Sequence, residues 1–460
     1  MNRSLFVVLI ILTSLLMLFD SGCQPTNNST PKSQPADTAS QPSTPPAQPE
    51  ADNQTVQMPI TLPVLDAFFS DDKFAGELKQ KLNLTGEQVQ KLKQTAREET
   101  AKLNESDNQT GTAEAARDEA TQKITAIIGP EKEKQLVDFV NSQWSGGSQA
   151  ELSTTPNAIP TDTRIVVNAP AYRMDVYNNG QLLKTYVVSI GYPEFPLPTG
   201  LRLAREIIFN PVWTPPDEPW VRASTKYQAG EKVEAGSKLN PLGPIKIPIG
   251  LPSLIHGGKP LAKIGGLGSH GCVGLTSPQV NDFALLLAHI SNTPLNNEQE
   301  AAYESTPSQT KKVDLKTPIP VELRYETIVV QNGKLHIYRD VYEHNTNTED
   351  NLRNVLKVYG ITLEQLSQDE RDQISNALNQ MARGASGSPA DQSQDQSDSK
   401  NKKSKSAKVT PRVIGQKEIV IDIAELQGKG YPDPVNLSTG NENNKAIVAT
   451  NKATNKKRGR

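Results

Sequence analysis

Between Ile255 and Leu287 the chain reads IHGGKPLAKIGGLGSHGCVGLTSPQVNDFALLL, and no other stretch limits so strongly what the protein can become. It holds two of the five histidines and one of only two cysteines, among closely spaced glycines. Backbone this bare packs closely where side chains would clash, so the first part reads as a tight loop. Val280, Phe283, Ala284 and Leu287 then recur at helical spacing, which predicts that the loop runs into an amphipathic helix. A cysteine in such a loop is a candidate nucleophile, and the histidines beside it are candidate bases.

A thiol near its ordinary pKa is only slightly ionised at neutral pH, so a nucleophilic Cys272 needs help. His256 lies sixteen positions before it, far enough for the chain to loop back, and His270 two positions before it. Backbone N–H groups around Gly271 and Cys272 can point at a developing oxyanion, as acyl transfer requires. Two other readings compete. A zinc site built on His256, His270 and Cys272 lacks a fourth ligand at a convincing local spacing. An inert buried cysteine is the commoner fate of a lone Cys, but the glycines and two histidines around Cys272 argue against it. His289, His336 and His344 are read as structural or solvated.

The pattern H-G followed by S-H-G-C-V resembles the signature of the L,D-transpeptidase, YkuD-like catalytic domain family. The resemblance implies that Cys272 is the nucleophile and His256 the general base and acid. It places His270 and Gly271 in the oxyanion-hole region, and Ser269 and Gly257 at the substrate. One departure is plain: most members carry Arg or Asn two positions after the cysteine, where this chain has Gly274. Pro198-Thr199-Gly200, Asn210 to Pro216 and Asn240 to Gly243 resemble further stretches of the family in the same order, and Asp340-Val341-Tyr342 resembles its closing hairpin. The implied fold is mostly β, a curved sheet or sandwich with a short helix after the cysteine. The implied reaction needs no metal or cofactor and acts on peptidoglycan stem peptides: Cys272 forms a thioester with a tetrapeptide stem and a second stem resolves it into a 3-3 cross-link. With water as acceptor the enzyme would be an L,D-carboxypeptidase, and with a lipoprotein lysine an anchoring enzyme. A non-catalytic cell-wall-binding lipoprotein is the alternative from a different class.

Around this core the 460 residues divide by composition. Residues 1–22 read as a signal peptide, with an apolar run from Leu5 to Phe19. Ser21-Gly22-Cys23 resembles a bacterial lipobox that would lipidate Cys23, although Asp20 stands where Leu is usual; a plain secretory signal or an uncleaved anchor are the other readings. Each places the chain outside the cytoplasm, in the periplasm or cell envelope. With lipid on Cys23, Cys272 would be the single thiol left, without a disulfide partner in an oxidising compartment. Residues 23–57 are a Pro- and Ser-rich linker unable to bury a core. Residues 58–145 predict a helical module with a capping box at Thr85 and Gln88, where Leu84-Thr85-x-x-Gln88 resembles the LTxxQ motif of Spy/CpxP-like proteins. After a linker at 146–162, strand patterns over 163–342 give the catalytic domain, with Asn179-Gly180 marking a hairpin and Asn332-Gly333 the turn between strands at Thr327 to Val330 and Lys334 to Tyr338. An insertion between Trp213 and Asn240, carrying Trp220, Arg222 and Tyr227, reads either as a lid or as a surface excursion. A helical appendage is expected at 350–382 and a low-complexity, basic region at 383–460, in which Glu418 to Ile423 reads as one strand. The net charge of −2 and the lack of aromatics among the terminal lysines exclude nucleic-acid readout.

Overall fold

A computed structural model describes residues 61–105, 112–144, 153–222, 224–250, 253–387 and 409–441. The expected signal peptide, Cys23, the linker to residue 57, residues 388–408 and the basic end from 442 lie outside the described residues. Within them, no helix is long and apolar enough to cross a membrane.

Helices come first: α1 (Leu62–Ser70), α2 (Asp72–Lys81), α3 (Gly86–Glu105), α4 (Thr112–Ile128) and α5 (Pro130–Trp144). The capping box before α3 is formed, with Gln88 N–H donating to Thr85 Oγ1 at 3.1 Å and Thr85 N–H donating to Gln88 Oε1 at 3.0 Å. Pro130 opens α5 at a position whose N–H has no helical partner to lose. Leu78, Leu92, Ala96, Ile124, Leu136 and Val140 are fully buried, which gives the module its own apolar centre.

The mostly β domain follows. Its strands are β1 (Arg164–Asn168), β2 (Arg173–Asn178), β3 (Gln181–Val187), β4 (Ile190–Gly191) and β5 (Gly200–Phe209); then, after the short helix α6 (Pro219–Arg222), β6 (Ile245–Pro248), β7 (Leu254–His256), β8 (Leu267–Ser269) and β9 (Val273–Gly274). Helices α7 (Ser277–Ile290) and α8 (Asn297–Glu304) precede the long strand β10 (Lys311–Arg324). Eight strands make one sheet in the order β3-β2-β1-β10-β5-β6-β7-β9, in which β1 runs parallel to β10 and β7 parallel to β9. Strands β4 and β8 pair separately, in parallel. The β2–β3 turn has both Asn179 (φ 50°) and Gly180 (φ 79°) left-handed, as the expected two-residue hairpin needs. Helix α7 buries Val280, Phe283, Ala284 and Leu287 in the apolar core that this sheet builds, the face its spacing predicts.

The hairpin of β11 (Ile328–Gln331) and β12 (Lys334–Tyr338) was expected to close this domain, but it belongs to a second sheet. Strand β13 (Glu418–Asp422) adds to β12, and helices α9 (Glu349–Val358) and α10 (Gln368–Met381) pack Leu352, Leu356, Ile374 and Met381 against Val330, Leu335 and Ile337. The helical appendage is therefore the helix layer of a small α+β unit, and residues 409–441, grouped by composition with the low-complexity end, complete it. Those residues also reach the main sheet: Thr185 N–H donates to Val435 O and Ser438 N–H to Thr185 O, each at 2.8 Å, which covers the edge of β3. Tyr342 clasps the two units, donating to Gly191 O and accepting from Leu197 N–H, both at 3.1 Å. Asp340 accepts from Tyr325 Oη at 2.6 Å and from His344 N–H at 3.0 Å, so the Asp-x-Tyr pair is a structural joint.

Candidate active site

Cys272 stands at the entry to β9. The turn that delivers it is closed by Ser269, whose Oγ donates to Cys272 O at 2.5 Å and accepts from Cys272 N–H at 3.1 Å. Gly271 takes φ 84° at the tip, a conformation that glycine adopts without strain. Parallel pairing of β9 with β7 sets Ile255 opposite Val273 and His256 opposite Gly274. The loop thus returns and brings the end of β7 beside the cysteine, which is half-buried and free.

His256 is 3% exposed, and its Nδ1 lies 2.8 Å from Gly257 O. That carbonyl assigns the proton to Nδ1 and leaves Nε2 as the acceptor. Burial pushes the imidazole down to about 3 and the Lys259 ammonium adds to the effect, against the Gly257 and Leu242 backbones, so His256 is neutral at neutral pH. Burial pushes the Cys272 thiol up, against the Lys259 ammonium and the Leu254 backbone, which favour the thiolate. No hydrogen bond joins His256 to Cys272 among the described residues.

Sequence reasoning passed over Lys259. Its Nζ donates to Gly268 O at 2.8 Å, and its stem crosses Gly274: a Cβ there would stand 2.6 Å from both Cγ and Cε of Lys259 and 2.3 Å from Ser189 Oγ. The missing side chain at position 274 is thus replaced in space by a lysine fifteen residues earlier. Both residues were legible; their meeting was not, because it depends on the pairing of β7 with β9.

Ser269 is 4% exposed and uses its hydroxyl inside the turn, and Gly257 is buried against Val280, whose Cγ1 would be 2.6 Å from an added Cβ. Neither side faces open space, and both build the loop. The Cys272 N–H is bonded to Ser269 Oγ. His270 presents no side-chain hydrogen bond among the described residues. Its ring is held by aromatics, with Trp220 stacked at 4.0 Å, Phe195 at 4.6 Å and Tyr192 at 5.3 Å between centroids.

Trp220 lies on α6, so the insertion after Trp213 covers the turn that carries the cysteine. Trp213 packs edge-on to Tyr227 at 4.8 Å and pairs with Val233, which holds the insertion in place. Its outer side meets the helical module: Arg97 of α3 lies 3.5 Å from Asp217 and 4.0 Å from Asp66, while Arg222 bonds Asp217 at 2.5 Å. Glu218 is buried among them, and burial together with Asp66 pushes its carboxyl up to about 8. A carboxyl raised this way binds its proton more tightly in the folded state. Its contribution to stability is therefore complete below about pH 4.5 and is lost as pH rises through about 8. Glu218→Gln is expected to raise the melting temperature at about pH 8 and to leave it nearly unchanged at about pH 4.5; calorimetry at both values checks this, and an equal shift at both would refute it.

Residues 162–321 match the YkuD family, the L,D-transpeptidase catalytic domain. Among solved structures, the chain is similar to the catalytic domain of an E. faecium L,D-transpeptidase, with 16% identity, a TM-score of 0.24, and coverage of 36% of this chain and 100% of that one. An L,D-transpeptidase from Mycobacterium smegmatis shares 17% identity at a TM-score of 0.22, over 35% of this chain and 58% of that one. One from Mycobacterium tuberculosis shares 16% at 0.20, over 35% and 57%. The chain thus spans under two thirds of the length of the two mycobacterial proteins. No curated protein matches it in sequence.

Proposed function

Residues 162–321 being an L,D-transpeptidase catalytic domain, we propose that this protein is a peptidoglycan L,D-transpeptidase of the cell envelope, with Cys272 as its nucleophile. One observation carries the reading: a half-buried cysteine at the entry to β9, next to the strand that ends in a neutral, tautomerically fixed His256. The Cys272 proton passes to His256 Nε2 as sulfur attacks the carbonyl carbon at the L-centre of the third stem residue. The Gly271 N–H meets the resulting oxyanion. The C–N bond to the terminal D-amino acid then breaks, and His256 returns the proton to the leaving amine. A side-chain amine of a second stem attacks the thioester, releases the thiol and leaves a 3-3 cross-link. Contacts between an acid–base residue and its nucleophile commonly tighten only when substrate binds, so the lack of a resting His256–Cys272 hydrogen bond is compatible with this.

The test incubates the whole chain with purified disaccharide-tetrapeptide and follows products by mass spectrometry, with Cys272→Ala as control. The expected product is a cross-linked dimer lacking one terminal D-amino acid, absent from the control. Tripeptide alone would replace this reading with the carboxypeptidase one. Untouched tetrapeptide and no covalent adduct on Cys272 would leave a wall-binding protein.

A further inference from the structure

We propose that Lys259 is the cation that pairs with the Cys272 thiolate, and that Gly274 is bare so that the lysine can reach it. The inference rests on reading Cys272 as the nucleophile and goes beyond it, because it moves the positive charge of the pair from an imidazolium to an ammonium.

The geometry supports it in three ways. First, the Lys259 stem is not splayed into solvent. Its backbone N–H donates to Leu275 O at 3.0 Å, its Cγ and Cε lie where a Gly274 Cβ would be, and its Nζ ends on Gly268 O at 2.8 Å. This path runs from one side of Cys272, over the residue two beyond it, to the strand that leads into its turn. Second, the ammonium has no carboxylate counter-ion among the described residues. Burial pushes Lys259 down to about 8; of the charged groups that act on it, Cys272 favours the ammonium and Lys263 opposes it, and no carboxylate is among them. Lys263 is itself turned away, donating to Pro411 O at 3.2 Å with its Nζ over the Tyr192 ring. The anion available to Lys259 is the one that Cys272 becomes. Third, neither histidine offers a resting positive charge: His256 and His270 are both held near 3 by burial and by Lys259 itself. A lysine beside a cysteine stabilises the thiolate by direct charge attraction.

The same charge explains how a thiol that burial disfavours as an anion can react. When Cys272 gives its proton to neutral His256, the new imidazolium and the new thiolate form in a site already holding a cation. Lys259 stabilises the sulfur anion, and the imidazolium, repelled by the same ammonium, gives its proton up readily to the leaving amine.

The test reads thiol ionisation, which needs no transpeptidation. The full-length protein is alkylated with iodoacetamide across a pH series. The thiolate sulfur forms the S–C bond, iodide leaves, and mass spectrometry of the Cys272 peptide separates it from Cys23. Wild type is compared with Lys259→Met, Lys259→Gln and His256→Gln. Glutamine keeps a donor for the Gly268 carbonyl, so it carries the comparison if the methionine variant melts early. Both lysine variants are expected to move the alkylation midpoint up by about one unit, making the reaction about tenfold slower at neutral pH. His256→Gln moves it less, since a neutral imidazole contributes no charge. An unmoved midpoint in a folded Lys259 variant overturns the proposal, as does a larger shift from His256→Gln. If the lysine shift appears but no cross-linked dimer ever forms, the transpeptidase reading fails and the ion pair stands; the reverse result sinks the ion pair alone.

Discussion

His256→Gln is expected to slow acylation of Cys272 by about 10²–10⁴-fold, the usual contribution of a positioned acid–base group. The reason lies in the proton path rather than in binding. Gln has no basic nitrogen to accept the thiol proton and none to return it to the leaving amine, while its amide still fills the buried site behind Gly257. Single-turnover incubation with tetrapeptide, quenched in time and read by intact-protein mass, measures the rate directly. Acylation within about threefold of wild type would remove His256 from the mechanism. The same substitution carries a second signature. The folded imidazole is held down to about 3 against an ordinary value of 6.5, so its contribution to stability is present above about pH 6.5 and is lost as pH falls toward 3. Removing the titrating group should therefore flatten the acid limb of the stability curve, whereas Cys272→Ala should not.

The largest loss of stability is expected from Gly243→Ala. Gly243 has φ 67°, and an added Cβ would stand 2.4 Å from Gly258 N, 2.7 Å from Gly258 Cα and 2.8 Å from Gly257 C. All three are backbone atoms and cannot swing aside. The left-handed conformation alone costs a non-glycine residue about 1–2 kcal/mol, and moving the loop after His256 adds to that, for a total of about 3 kcal/mol or more. Gly129→Ala is the matched comparison: its φ of 81° is similar, but nothing lies within 4 Å of the new Cβ. Urea denaturation should separate the two, with Gly243→Ala also losing acylation because Gly257, Gly258 and Lys259 shift with the loop. Equal destabilisation of the two variants would mean that the close approach of the 243 and 258 segments does not matter.

Much of the fold could be read locally. The Thr85–Gln88 cap, the hairpin at Asn179 and Gly180 and the buried face of α7 all depend on residues within a few positions of one another, and all are formed as expected. The strand at Glu418–Ile423 was visible too, but its place was not. It pairs with β12 across two helices and a polar segment, and nothing in its own residues names that partner. For the same reason the β11–β12 hairpin was assigned to the wrong sheet: its alternation says that it is a hairpin, not which helices will cover it.

The site divides along the same line. Cys272, His256 and the turn with Gly271 stood out because chemistry restricts which residue types can serve there, and the loop length between them allowed a return. Chain position cannot say which groups surround them, so it gave no sign that Ser269 and Gly257 are buried in the loop or that His270 stacks with Trp220. By itself the sequence determined the nucleophile candidate, the local elements and the β class of the central domain, since these follow from residue chemistry and short-range periodicity. Only the tertiary structure decided that Lys259 crosses Gly274, that the insertion lies over the turn, and that residues 409–441 return to the sheets. Those facts are set by strand pairing and burial between segments far apart in the chain, where the free energy depends on which surfaces meet and not on the order in which they were made.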